Sequence, residues 1–86
     1  MTLYLVDEPF ANLAFAYAAN DPAARVVLLE DGVYVAKRGA FKGEVYYIGD
    51  DAARRGLGDS FPGGAHSIGF DELIAMMETD KVVNFL

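Results

Sequence analysis

The stretch Val26-Val27-Leu28-Leu29-Glu30-Asp31-Gly32-Val33-Tyr34 decides the fold of this chain. It opens on four consecutive apolar residues. A strand that is apolar on both faces is a central strand of a parallel sheet with helices covering each side. The run stops at two carboxylates and a glycine. In an open α/β sheet, the carboxyl end of a strand is where ligands and partners are met. The segment therefore predicts both a layered architecture and the edge on which function is to be sought.

Working outward, Leu3–Val6 reads as a first strand. Asp7-Glu8-Pro9 follows it, a capping carboxylate with proline in the first turn, and starts a helix that runs to about Ala19. Asn20-Asp21-Pro22 stops that helix. At 100° per residue Phe10, Leu13, Ala14, Tyr17 and Ala18 share one face, and Phe15 lies with Ala11 and Ala19 on a second flank. The helix is apolar over most of its circumference. Strand two is Arg25–Glu30, and Asp31-Gly32 turns the chain into a short helix from Val33 to Arg38, ended by Gly39. Strand three is Glu44–Ile48. Gly49-Asp50-Asp51 opens a helix over Ala52–Arg55 that Gly56 closes, and Leu57–Gly64 is a glycine-rich loop. Ala65–Ile68 is a short fourth strand. Phe70-Asp71 caps a last helix from Glu72 to about Glu78, and Lys81–Leu86 is either a fifth strand or a packed tail. This alternation predicts a parallel sheet with right-handed crossovers and helices on both faces.

The 86 residues form one domain, which buries roughly 60–65% of the surface exposed when unfolded. Hydrophobic residues make up 53% of the sequence, above the usual share for a soluble domain. Such an excess points to a subunit interface and hence to an oligomer. The net charge is −6, from 13 acidic and 7 basic residues. An acidic surface repels nucleic-acid backbones and anionic membranes, so neither is an expected partner. The sequence holds no cysteine, which rules out thiol catalysis and zinc-thiolate sites in this chain. It has no apolar run of transmembrane length. Met1-Thr2-Leu3-Tyr4 lacks the basic region of a signal peptide, and the expected location is cytoplasmic.

Asp7, Glu8, Asp31, Asp50 and Asp51 fall just after predicted strands. Clustered oxygens at one sheet edge can hold magnesium, as phosphoryl-transfer sites do. Equally, Asp7, Asp31 and Asp50 each precede a helix, where a carboxylate caps free amides and complements the dipole. The single histidine, His66, adjoins Ser67 on a strand, so the two point to opposite faces and make no catalytic dyad. Gly63-Gly64-Ala65 and Gly56-Leu57-Gly58 lack the lysine and strand-turn-helix setting of a phosphate loop. Lys37, Arg38 and Lys42 make a small basic patch that either docks an acidic partner or is a solvated helix end. Phe15, with Ala11 and Ala19, is either a lone exposed aromatic or part of an interface.

Several short motifs occur together in one order. They are Pro9-Phe10; Leu28-Leu29-Glu30-Asp31-Gly32-Val33; Val45-Tyr46-Tyr47-Ile48 with Asp51 and Arg55-Gly56-Leu57; Ile68-Gly69-Phe70-Asp71-Glu72-Leu73; and Val82-Val83-Asn84-Phe85. In order and spacing they resemble the TusB/DsrH branch of the DsrE-type sulfur-relay proteins, over nearly the whole chain. The resemblance implies a three-layer α/β/α sandwich with a mainly parallel four- to five-stranded sheet. It implies assembly with DsrE/TusD-like and DsrF/TusC-like subunits that pass persulfide sulfur, toward tRNA wobble-uridine 2-thiolation or in sulfur oxidation. The catalytic cysteine of that relay lies mainly on the TusD/DsrE-type partner. Some DsrH-type members carry a cysteine of their own, whereas this chain has none and cannot itself carry sulfur. Its crossover between Arg38 and Glu44 is also shorter than the family's.

The reading that follows is a non-catalytic subunit without a cofactor. Its expected interface is Phe10 and Phe15 of helix one with Asp31, Gly32, Val33 and Tyr34 of the turn. Two alternatives stand beside it: a self-associating binding module of the same fold, and a small metal-dependent enzyme using Asp7, Asp31 and Asp50.

Overall fold

Val26, Val27 and Leu28 are all buried, although neighbouring side chains on a strand point to opposite faces. Burying each stabilises the fold by about 1.5–3 kcal/mol, so this strand needs cover on both sides. A computed structural model describes residues 1–38, 43–58 and 65–86, with the side chains of 36–38 left aside. It shows β1 (Thr2–Val6), α1 (Ala11–Ala19), β2 (Ala24–Leu28), α2 (Val33–Arg38), β3 (Glu44–Ile48), α3 (Gly49–Arg54), β4 (His66–Ile68), α4 (Phe70–Thr79) and β5 (Lys81–Phe85). Every strand pairing is parallel, and the sheet order is β4-β3-β2-β1-β5. The strand carrying the opening stretch is thus the middle one of five. The α/β class expected from the sequence is the class observed. Lys81–Phe85 is a strand and not a loose tail, because it pairs residue for residue with β1.

The topology sets which face each helix covers. Steps from β1 to β2, β2 to β3 and β3 to β4 all move the same way across the sheet. Right-handed crossovers then put α1, α2 and α3 on one face. The step from β4 to β5 runs back past β1, so α4 falls on the other. The packing agrees. Tyr4, Val6, Val26, Leu28, Val45 and Tyr47 meet the α1–α3 residues Ala11, Ala14, Ala18, Val33, Val35 and Ala52 in one cluster. Leu3, Leu5, Val27, Ile48 and Ile68 meet Leu73 of α4 in a second.

Three local readings are corrected. Strand two ends at Leu28, not Glu30: Glu30 takes φ +50, a left-handed conformation that closes the strand, and starts a 3-10 turn over Glu30–Gly32. Helix one does not run unbroken from Pro9, because Glu8–Phe10 is a 3-10 turn capped by Asp7, whose Oδ1 accepts the Glu8 N–H at 2.6 Å. The last helix begins at Phe70 with Gly69 as its cap. The Gly69 N–H donates to Glu72 Oε1 at 3.3 Å.

The face that α1 turns to the sheet is its alanine line, Ala11, Ala14 and Ala18. Small side chains let the helix sit close, and they leave Leu13 and Tyr17 outside. The expected shared face of Phe10, Leu13, Ala14, Tyr17 and Ala18 is therefore split between core and surface. The Gly39–Gly43 loop, the Leu57–Gly64 loop and the basic patch at Lys37, Arg38 and Lys42 lie partly or wholly outside the described residues. Among the described residues, no helix is long and apolar enough to cross a membrane.

At the amino edge of the sheet, Asp80 follows α4 and holds Arg25 of β2 with a 2.6 Å ion pair that is mostly shielded from solvent. The Arg25 guanidinium lowers the Asp80 carboxyl below the ordinary carboxylate range. Asp21 is lowered as well, chiefly because its Oδ1 accepts the Ala23 N–H at 2.9 Å. Carboxyls lowered on folding add stability that is complete above the unfolded value of about pH 3.9 and is lost as pH falls through the lower folded values. Urea midpoints of the wild-type chain should accordingly drop as the solution is taken from pH 5 toward pH 2. Asp80→Asn should flatten part of that acid limb, and an unchanged slope would mean that the ion pair adds nothing.

Candidate interaction surface

The turn after β2 is built by close approach. Gly32 is buried, and a Cβ there would run into the carbonyl oxygen of Val6 at the end of β1. Only glycine allows the turn to sit against its neighbour. The Leu29 N–H meanwhile donates to that same Val6 oxygen at 3.1 Å, and the Gly32 N–H donates to the Leu29 oxygen at 2.8 Å. Two consecutive turns, at Glu8–Phe10 and Glu30–Gly32, thus pack side by side at the carboxyl edge.

The acidic residues at this edge turn out to be bound mainly to arginine and backbone. Asp51, 1% exposed, accepts the Glu30 N–H on Oδ2 at 2.8 Å. Its Oδ1 accepts no hydrogen bond and lies 3.5 Å from Arg54 Nη1 as a loose ion pair. Arg55 spans the same cluster: Nε donates to Asp31 Oδ1 at 2.9 Å, Nη1 to the Asp51 carbonyl at 3.0 Å, and Nη2 reaches Glu30 Oε2 at 3.4 Å. The hydrogen bond to Asp31, foremost among these, raises the Arg55 guanidinium pKa above its ordinary value. The result ties the turn after β2 to α3. Among the described residues no group of three or more His, Asp or Glu is arranged to hold a metal ion. Asp7 caps a turn and Asp31 holds Arg55, so neither is arranged as the metal alternative requires.

Of the six expected interface residues, the structure brings some to the surface and buries others. Phe10 and Tyr34 are exposed, as is Asp31, and the elements carrying Phe10 and Tyr34 lie against one another. Gly32 and Val33 are buried inside the chain, so of the four expected turn residues Asp31 and Tyr34 meet solvent. Phe15 is half-buried against the main core cluster and is not a lone exposed ring.

Two residues outside the expected set extend the surface. Leu13 is 53% exposed and Tyr17 is 57% exposed. They are four residues apart and lie on one line along the outside of α1, with exposed Phe10 in the turn that precedes it. A shallow depression of about 230 Å³ lies there, lined by Leu13, Ala16, Tyr17 and Asn20. Tyr17 also meets Phe85 of β5, with ring centroids 5.8 Å apart. Ala11–Ala19 contains no charged side chain, in a chain of net charge −6. A helix that is apolar all round is ordinarily covered on all sides. The signal was present in the sequence as the missing charge. What the sequence lacked was the direction of the core.

A second feature lies where the connections part. The chain leaves β3 toward α3 on one face and leaves β4 toward α4 on the other, so their carboxyl ends form the topological switch point. A depression of about 250 Å³ is found there, lined by Tyr47, Gly49, Ala52, Ala53, Leu57, Gly58 and Ser67. Its lining side chains are apolar apart from Ser67 and the phenol of Tyr47. Ser67 faces this side while His66 faces Tyr46 on the other, with ring centroids 5.8 Å apart, so the two side chains are on opposite faces as expected.

No protein-family model matches this chain, and no curated protein is significantly similar to it.

Gly32→Ala should destabilise the chain by about 1–3 kcal/mol, since the added methyl has only backbone to displace. Thermal melting would show this as a drop of about 4–8 °C per kcal/mol. Asp51→Ala should lose about 1–3 kcal/mol by stranding the Glu30 N–H, whereas Asp51→Asn keeps an acceptor and should lose less. Equal melting temperatures for the two Asp51 variants would remove that hydrogen bond from the account.

Proposed function

We propose that this chain is a non-catalytic subunit of a sulfur-relay complex, holding cysteine-bearing DsrE/TusD-like and DsrF/TusC-like subunits in position. The observation that carries the reading is the outside of α1. Leu13 and Tyr17 are exposed on a helix without charge, and Phe10, in the turn before it, is exposed as well. Aromatic and aliphatic residues without charges among them are what the centre of a protein interface is made of. The motif order that resembles the TusB/DsrH branch supplies the partner class. The parallel α/β sheet is the fold that resemblance implies.

The division of labour follows from chemistry. Persulfide transfer moves a sulfane sulfur from one cysteine thiolate to another, so every carrier in the chain of transfers needs a thiol. This sequence has no cysteine and so has no thiol on which to carry sulfane sulfur. Its part is to place the cysteines of other subunits at transfer distance. Asp31 and Tyr34, beside Phe10 at the carboxyl edge, make the polar border of that contact. The complex serves either tRNA wobble-uridine 2-thiolation or sulfur oxidation, in the cytoplasm.

The same uncharged stripe also favours a second reading, self-association. Two copies of a −6 chain repel, and α1 is a surface on which they meet without placing like charges together.

Co-expression with DsrE-type and DsrF-type proteins from the same source, followed by size-exclusion chromatography, tests the first reading. The chain should co-elute with them. Leu13→Lys or Tyr17→Lys should weaken the complex about tenfold or more while leaving the far-ultraviolet circular dichroism unchanged. A chain that elutes alone beside these partners refutes the relay reading. If it instead forms a dimer that Leu13→Lys dissociates, the self-associating module takes its place.

A further inference from the structure

We propose that the outer flank of α4 docks a helix of another protein, one whose apolar stripe is bordered by lysine or arginine. This surface lies on the opposite side of the sheet from α1, and its occupancy does not depend on what α1 meets.

The first reason is coverage. Five strands at about 4.8 Å spacing span about 19 Å from first to last, whereas one helix with its side chains is about 10–12 Å across. Three helices share one face of the sheet, but among the described residues α4 alone covers the other. That face is correspondingly incomplete. Tyr46 and Val82 are half-buried on it, and His66 and Asn84 are exposed. Among the described residues nothing besides α4 lies over these positions.

The second reason is the shape of α4 itself. It sends Leu73 fully into the sheet and Met76 partly. A second apolar row, Phe70, Ile74 and Met77, stands 44%, 54% and 41% exposed. Spacing of i, i+4, i+7 places these side chains on one line. A helix needs one apolar row to hold its place, and this one has two. Met77 is unbranched and adaptable, the type of residue favoured where a surface must fit another.

The third reason is charge, and it selects the occupant. Asp71 and Glu78 are seven residues apart and form a parallel row beside the apolar one, with the small Ala75 between them. Phe70–Thr79 holds no Lys, Arg or His. Glu78 stands in the last turn, where the helix dipole disfavours a carboxylate. A second copy of the chain would set this acidic row against its own like, on top of a net charge of −6. Lysine or arginine bordering an apolar stripe pairs with it instead.

Fluorescence anisotropy with a labelled leucine–lysine amphipathic helical peptide tests the inference. A leucine–glutamate peptide of the same spacing serves as the comparison. The lysine peptide should bind the wild-type chain about tenfold or more tighter than the glutamate peptide, and less tightly as salt is raised. Ile74→Ser with Met77→Ser should weaken it about tenfold or more, with the helical circular dichroism retained because both positions are exposed. Glu78→Gln should weaken binding more than Asp50→Asn, which removes the same charge from an exposed site on α3. No binding, equal binding of the two peptides, an unaffected serine double variant, or equal effects of the two charge variants would each overturn the inference. So would sedimentation showing a wild-type dimer that the double variant dissociates, which would make the occupant a second copy.

Discussion

β2 has to be covered on both faces, and the rest of the molecule is arranged around that requirement. Val26 and Leu28 point to one side and Val27 to the other, and all three are out of water. In a parallel sheet each strand returns to the same edge through a crossover, so the covering helices come with the connections. The order β4-β3-β2-β1-β5 sends three crossovers one way and one the other. Handedness then gives three helices to one face and one to the second. The two layers are unequal because of strand order, with no special property needed in either helix set. The thin cover on the second face leaves Phe70, Ile74 and Met77 of α4 at the surface, whereas Leu13 and Tyr17 are exposed because α1 turns its alanine line to the sheet.

The carboxyl edge shows how closely structure and apparent chemistry resemble one another in sequence. Five carboxylates after strands have the composition of a metal site. In space three of them, Asp7, Asp31 and Asp51, have separate structural uses, and Glu30 joins them. Asp7 caps a turn, Asp31 and Glu30 meet Arg55, and Asp51 is buried beneath the turn as the acceptor for the Glu30 N–H. That last bond matters because Glu30 is held in a left-handed backbone conformation, which is unfavourable for a residue with a Cβ. The strain is balanced by a hydrogen bond from its N–H to a charged acceptor inside the protein, a stronger bond than one between neutral groups. The Arg55-Gly56-Leu57 motif thereby acquires a physical meaning: its arginine fastens α3 to the turn after β2.

Much of this was readable from residue order. The two-sided run at Val26–Leu28, the proline after Asp7 and the glycine at position 32 each have one ready explanation, and the structure follows it. The direction in which α1 faces was not readable. Ala11–Ala19 has apolar residues all round, so periodicity offers two candidate faces with nothing to choose between them. The sheet chose the alanine line, since Ala11, Ala14 and Ala18 let the backbone approach Tyr4, Val6 and Val26 more closely than leucine or tyrosine would. Phe15 consequently folds down against the core, and the exposed row falls on Leu13 and Tyr17. The same holds for α4. Its apolar residues fall in two rows, Leu73 with Met76 and Phe70 with Ile74 and Met77, and only the packed structure shows that the second is the exposed one.

The residue sequence by itself determined which runs form the inner strands, about where turns fall, and that no thiol is on hand. Those properties follow from local sterics, side-chain polarity and composition, which act on neighbours along the chain. The tertiary structure alone decided which apolar surfaces are core and which stay exposed. That choice depends on which elements lie side by side, and here it was made by pairs far apart in sequence, β1 with β5 and Arg25 with Asp80. An apolar residue carries the same free energy of burial whether the covering surface is its own chain or another's. Only the packed arrangement tells the two apart.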